Sequence, residues 1–263
     1  MISAIYDRRS TRKFINKPIS HKDITDIIQS GIKAPSSKNR QPWKYIVIQG
    51  NAKAEMLKVF RQGIEREEND SALLPESKQH IAAAKYTVDI MEEAPTIVFV
   101  VNSLGKSILS ELTPEERVYE ICNIQSIGAS IQNMLLAATE KGIGSLWICD
   151  IYFAYSELCK WLGNDGQLIA AIAFGYPNEF PKERPRKKID DIVEWRNYFV
   201  RVTIFSLSRK PESREAGFFP VQAERKPFPR KEGRALPLFC YRRYLPDKVT
   251  AIRLDHRLCR WFG

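Results

Sequence analysis

The chain has 263 residues, 44% of them hydrophobic, enough for one sizeable domain or a domain with an appendage. It holds no apolar run of about 18 residues or more, and its first residues lack an apolar core, so neither a transmembrane helix nor a signal peptide is expected. The formal net charge of +10 is unevenly spread: residues 196–263 hold 16 Lys and Arg against 6 Asp and Glu, whereas residues 1–195 hold 25 of each.

The body uses 16 Lys and 9 Arg and the tail 4 Lys and 12 Arg, which points to two segments of different origin. The cysteines, Cys122, Cys149, Cys159, Cys240 and Cys259, are odd in number and form no Cys-x-x-Cys pair. They read as reduced thiols of a cytoplasmic protein, with Cys149 expected to be a buried structural thiol rather than a nucleophile. His21, His80 and His256 share no ligand spacing, so no metal site is expected.

In chain order, Ser20 to Gly31 reads as a helix with Ser20 as N-cap and Ile24, Ile27, Ile28 and Gly31 on one face. Pro35 prevents its continuation. Trp43 to Ile48 is a β-rich run, and Ala52 to about Glu68 is helical again. Within 69–92 a further helix is expected around Ile81, Tyr86, Val88 and Ile90. Thr96 to Val101 is apolar throughout, the pattern of a strand buried on both faces.

Glu115 to Lys141 is the longest helix, with Ile121, Ile124, Ile127, Ile131, Met134, Leu135 and Ala138 as its apolar positions and Gly142 as its C-cap. Gly128, Ala129 and Ser130 permit close approach of another backbone. Gly144 to Ile148 gives a strand, Ala154 to Leu162 an amphipathic helix, and Gln167 to Phe174 a further β-rich run ending at Gly175. The body therefore reads as one α/β sandwich-like domain in which helices interleave with about four strands.

Two stretches carry chemistry. Arg8-Arg9-Ser10-Thr11-Arg12-Lys13-Phe14 gathers four cations and two hydroxyls, a set suited to an anion, because guanidinium groups bind phosphate bidentately. Ala34-Pro35-Ser36-Ser37-Lys38-Asn39-Arg40-Gln41-Pro42-Trp43 is a polar loop whose amides and hydroxyls can read a heterocycle edge. With Asn133 to Ala138 leading into Gly142 to Trp147, and Ala173 to Pro177 running on to Arg184-Pro185-Arg186-Lys187-Lys188, these motifs resemble the FMN-dependent nitroreductase family across residues 1–195.

The resemblance implies a mixed sheet flanked by helices, an intertwined homodimer, FMN as cofactor and NAD(P)H as transient reductant. It implies phosphate contacts from Arg8, Ser10 and Arg186, with Arg9 close by, and Arg12 at the flavin N1 and C2 carbonyl edge. It places Pro35, Ser36, Ser37, Asn39 and Gln41 on a loop that reaches the flavin, partly from the neighbouring subunit. Trp147, Ile148 and Cys149 fall where the family sets backbone against the ring near N5. Hydride then passes between stacked rings in ping-pong fashion to nitroaromatics, quinones or similar small acceptors, and no catalytic side chain is required. Dehydrogenase or dehalogenase chemistry is the alternative within the family.

Residues 196–263 have no counterpart in that pattern. Their arginines and aromatics interleave as in single-strand binders, which makes an anion- or nucleic-acid-binding protein the competing class. The segment is Pro-punctuated and poor in regular apolar pattern, so it is expected to be a largely disordered extension unnecessary for catalysis.

Overall fold

The computed structural model describes residues 2–69 and 72–196. The chain divides between Pro185 and Arg186 into two units, each described by itself. The second contains a short 3₁₀ turn, Ile189–Asp191, and an exposed Arg196–Glu194 ion pair of 2.7 Å. The expected boundary at residue 195 stays a proposal, and the expectations for residues 197–263 lie outside the described residues.

The first unit is built on four strands, β1 (Trp43–Ile48), β2 (Thr96–Asn102), β3 (Gly144–Ile148) and β4 (Gln167–Gly175). They lie in the order β1-β2-β4-β3, every adjacent pair antiparallel. Parallel pairing enters through an isolated bridge between Ser10 and Ser145 on the outer edge of β3. β2 and β4 are central and buried along their whole lengths, as the unbroken apolar run of β2 requires.

Side chains alternate across this sheet, so each face has its own core. Helices α2 (His21–Gly31) and α5 (Pro114–Glu140) cover Val98, Val100, Ala170, Ile172 and Phe174. On the other face, α3 (Asn51–Glu68), α4 (Ile81–Glu93) and α6 (Tyr155–Leu162) cover Ile97, Phe99, Val101, Ala171 and Ala173. The result is the expected helix–sheet–helix sandwich.

The helix starts follow local chemistry. The Ser20 hydroxyl accepts from the Asp23 N–H at 3.0 Å and so caps α2. α5 opens with a full capping box between Thr113 and Glu116 and with Pro114 at its first position. At its other end Lys141 is the capping residue, and the expected Gly142 follows it at a φ of 69° that favours glycine.

α5 buries the expected Ile127, Ile131, Met134, Leu135 and Ala138 but departs from the sequence reading toward its N-terminus. Asn123, Ser126, Ile127, Ser130, Ile131, Met134, Leu135 and Ala138 point inward. Ile121 and Ile124 are 49% and 38% exposed, and Val118 beside them is 58% exposed. The small buried residues are what let α2 approach: a Cβ on Gly31 would come within 2.7 Å of Met134 Cγ. A short helix α1 (Ser3–Asp7) precedes the basic segment and has no counterpart in the sequence reading.

Candidate active site

The basic segment 8–14 is neither helix nor strand, yet it is held at most of its backbone positions. Ser10 bridges Ser145 on β3, and the Thr11 N–H donates to the Ser145 carbonyl at 3.0 Å. Gly144 makes this approach possible, because a Cβ there would sit 2.7 Å from Thr11 Oγ1 and 2.9 Å from Thr11 Cβ and Cγ2. Beyond it, Phe14 bridges Pro177, and the Ile15 N–H donates to the Tyr176 carbonyl at 2.9 Å. The segment is thus wedged between the edge of β3 and the chain leaving β4.

Its cations have different surroundings. Arg9 turns back onto the carbonyls of Tyr6 and Arg8 at the end of α1 and lies 3.8 Å from Glu183. Arg12, half-buried, donates from Nη1 to the Ser10 carbonyl at 3.2 Å. Arg8 is half-buried next to them in the chain. Ser145, directly opposite Ser10, is buried with its Oγ unpaired, which leaves a polar atom for a ligand or water at this edge.

Two residues along β3 from Ser145, Trp147 is 38% exposed, and its ring tip would meet a Cβ on Gly128 of α5 at 3.8 Å. Ile148 is buried and Cys149 is exposed, the latter correcting the expectation of a buried thiol. Desolvation by the surrounding protein, and then Asp150, still push the Cys149 thiol above its ordinary value, so it is a poor nucleophile near neutrality.

The loop after α2 is pinned to the same stretch of α5. The Ser37 N–H donates to Ser126 Oγ at 3.2 Å, and the Arg40 guanidinium stacks 4.4 Å over the Tyr119 ring. Ser36 Oγ accepts from the Gln41 N–H at 3.0 Å, and Asn39 Oδ1 accepts from Gln41 Nε2 at 3.2 Å. Pro35, Ser36, Ser37, Asn39 and Gln41 therefore form one folded loop. Lys38, Asn39 and Gln41 adopt φ values of 52°, 53° and 48°, a strained run for residues with a Cβ and of the kind that persists where the surroundings over-determine it.

β3 and α5 link these groups: β3 carries the basic segment and Trp147, and α5 has Gly128 facing the Trp147 ring and holds the loop. Arg186 lies in the second unit. Sequence reading named Thr11 as a neutral donor, whereas its side chain is buried against Gly144; it missed Tyr119 and Ser145 as members of the site. A depression of about 350 Å³ lies on the Arg9 side of the segment, against Thr11, Gly142 and Phe180, but Asp7 and Glu179 line it as well, which makes it a poor cradle for a phosphate.

The first unit is thus a two-faced α/β sandwich with a basic segment and a half-exposed indole at the β3 edge and a strained polar loop pinned to α5. The model of the "Nitroreductase family" matches residues 5–176. The chain belongs to the nitroreductase family. A Haemophilus influenzae protein named "Putative NAD(P)H nitroreductase" is 28% identical over 214 residues, spanning 74% of this chain and 96% of that protein. Among solved structures, a BluB-like flavoprotein from Clostridium difficile superposes with a TM-score of 0.60 at 25% identity, covering 74% of this chain and 98% of its own. A nitroreductase-type structure from Desulfovibrio desulfuricans, in complex with FMN, gives a TM-score of 0.55 at 26% identity, covering 74% and 96%.

Proposed function

We propose that this chain is an FMN-dependent oxidoreductase that takes hydride from NAD(P)H and delivers it, by ping-pong use of one pocket, to a small acceptor such as a nitroaromatic or a quinone. FMN in that pocket supplies the hydride relay. The single observation that carries the reading is the wedging of Arg8-Arg9-Ser10-Thr11-Arg12 against the edge of β3, two residues from the exposed Trp147. Family membership and the FMN-containing relative at 26% identity support it.

The residues present fit such a group. Arg8 and Ser10 would hold the phosphate, with Arg9 beside them; Arg186, which the resemblance also assigns to the phosphate, lies in the second unit. Arg12 would stand against the ring edge that gains negative charge on reduction, and a cation there favours the reduced state. The loop carrying Pro35, Ser36, Ser37, Asn39 and Gln41 would read the polar ring edge, and the stretch Trp147-Ile148-Cys149 would back the ring. The apolar exposed face of α5, with Val118, Ile121 and Ile124, supports a homodimer in which one subunit's loop completes its partner's site. We place the protein in the cytoplasm; among the described residues no helix is long and apolar enough to cross a membrane.

The test is reduction in the absence of oxygen. NADH or NADPH should bleach the flavin absorbance of the full chain, and addition of a quinone or nitroaromatic should restore it. A bound flavin that neither nicotinamide reduces contradicts the proposal.

A further inference from the structure

The basic segment has no secondary structure to hold it, so the groups that accept its N–H bonds decide where its cations stand. All five N–H groups from Thr11 to Ile15 have partners, and three of the five go to carboxylates. Thr11 donates to the Ser145 carbonyl and Ile15 to the Tyr176 carbonyl. Arg12 and Lys13 both donate to one atom, Glu179 Oε1, the second at 3.3 Å. Phe14 donates to Glu93 Oε2 at 3.3 Å. Next to Glu179, the Asn178 N–H closes the clamp on the Lys13 carbonyl at 2.9 Å.

Two successive N–H groups pointing the same way make an anion site of their own. Here a half-buried carboxylate of the chain fills it. The negative charge of Glu179 therefore takes up the N–H groups of Arg12 and Lys13 and disfavours an external anion beside them. No neutral backbone acceptor in the clamp does both jobs, since only a charged group also repels phosphate from these N–H groups.

Resting on the FMN reading above, we infer that Glu179 is the positioning residue of the flavin phosphate site: it fixes the backbone of Arg12 and Lys13 and keeps phosphate from their N–H groups. It touches the segment and not the ligand, so its loss is felt as weaker cofactor binding.

The experiment is an FMN titration of the full-length apoprotein, wild type against Glu179→Ala and Glu179→Gln, followed by quenching of flavin fluorescence, with the Tm of each apoprotein recorded. Glu179→Ala is expected to weaken FMN by about tenfold or more, the scale of a charged hydrogen bond. Glu179→Gln keeps an oxygen that accepts both N–H bonds and is expected to recover most of that loss while falling short of wild type. Rescue by Gln separates positioning from mere filling of space. Unchanged affinity in Glu179→Ala, or Gln binding as weakly as Ala, overturns the inference and leaves the cofactor reading standing. A wild-type chain that takes up no FMN overturns both. Where the Tm shows Glu179→Ala unfolded, Glu179→Gln decides: a small loss supports the inference, and wild-type affinity or a full loss overturns it.

Discussion

Gly144→Ala tests the wedge on which the site depends. The added Cβ would stand 2.7 Å from Thr11 Oγ1 and 2.9 Å from Thr11 Cβ and Cγ2, about 0.5–0.7 Å inside the start of ordinary contact at 3.4 Å. Three atoms of one β-branched side chain crowd the same point, so turning χ1 exchanges one clash for another. Thr11 is only 4% exposed and cannot swing into solvent. Gly144 has no positive φ, so the alanine strains nothing in its own backbone and the effect is steric alone.

The backbone of residues 10–12 must therefore withdraw from β3. Overpacking of this kind costs about 1–3 kcal/mol. Part of that appears as a fall in Tm, at about 2–4 °C per kcal/mol for a domain of this size. The rest appears in the ligand: displacement of the cations by about half an ångström should weaken FMN by about tenfold, or about 1.4 kcal/mol. The assay is equilibrium titration of the apoprotein with FMN, beside thermal melts with and without cofactor. A variant with wild-type FMN affinity would falsify the view that segment 8–12, held on β3 through Gly144, forms the cofactor site.

Glu67 is 1% exposed, pairs with Arg66 and accepts the N–H groups of Leu73 and Leu74 at 2.9 Å each. Glu67→Ala strands those donors and should cost about 3–5 kcal/mol in urea unfolding; a loss under 1 kcal/mol contradicts it. Arg12→Ala, in protein that still holds FMN, should lower the flavin reduction potential by removing the cation beside the reduced ring, on the scale of about 1.5–3 kcal/mol for one charged hydrogen bond; an unchanged potential places Arg12 elsewhere. Lys141, which joins α5 to Asp23 and Asp26 of α2 at 2.9 and 2.8 Å, holds the Asp26 carboxyl down from 3.8 to about 2, with Lys22 adding to it. A depressed carboxylate stabilises above its ordinary value, so the Tm penalty of Lys141→Ala should be full above pH 3.8 and fade as pH falls toward about 2. A penalty that persists at pH 2 argues for a packing role instead.

The strands and long helices were legible because each is a continuous pattern. β1 and β3 fall where Trp43 to Ile48 and Gly144 to Ile148 place them, and the unbroken run in β2 announced burial on both faces. α5 was legible in extent, and in orientation only from Ile127 onward. Hydrophobic spacing picks out Ile127, Ile131, Met134, Leu135 and Ala138, which are buried, but it misses the polar Asn123, Ser126 and Ser130 on the same face and takes in Ile121 and Ile124, which look outward. α1 has five residues and no capping side chain, too short to leave a periodic signal.

For the site, the basic segment and the polar loop stood out by composition. What holds them did not, because those contacts are long-range. Ser145 and Glu179 lie more than 130 residues from the N–H groups they accept. The positive φ values at Lys38, Asn39 and Gln41 were equally hidden, since none of the three is a glycine and only the packing against Tyr119 and Ser126 makes them visible.

The central claim is that the first unit is built to hold FMN, with a single phosphate met by the arginines of segment 8–12. Flavin released by heat from the purified full-length chain, saturated beforehand with an equimolar mixture of FMN and FAD and freed of excess, tests it most directly. The account predicts FMN in the released fraction at close to one per chain. FAD in its place, or a chain that retains no flavin, contradicts it.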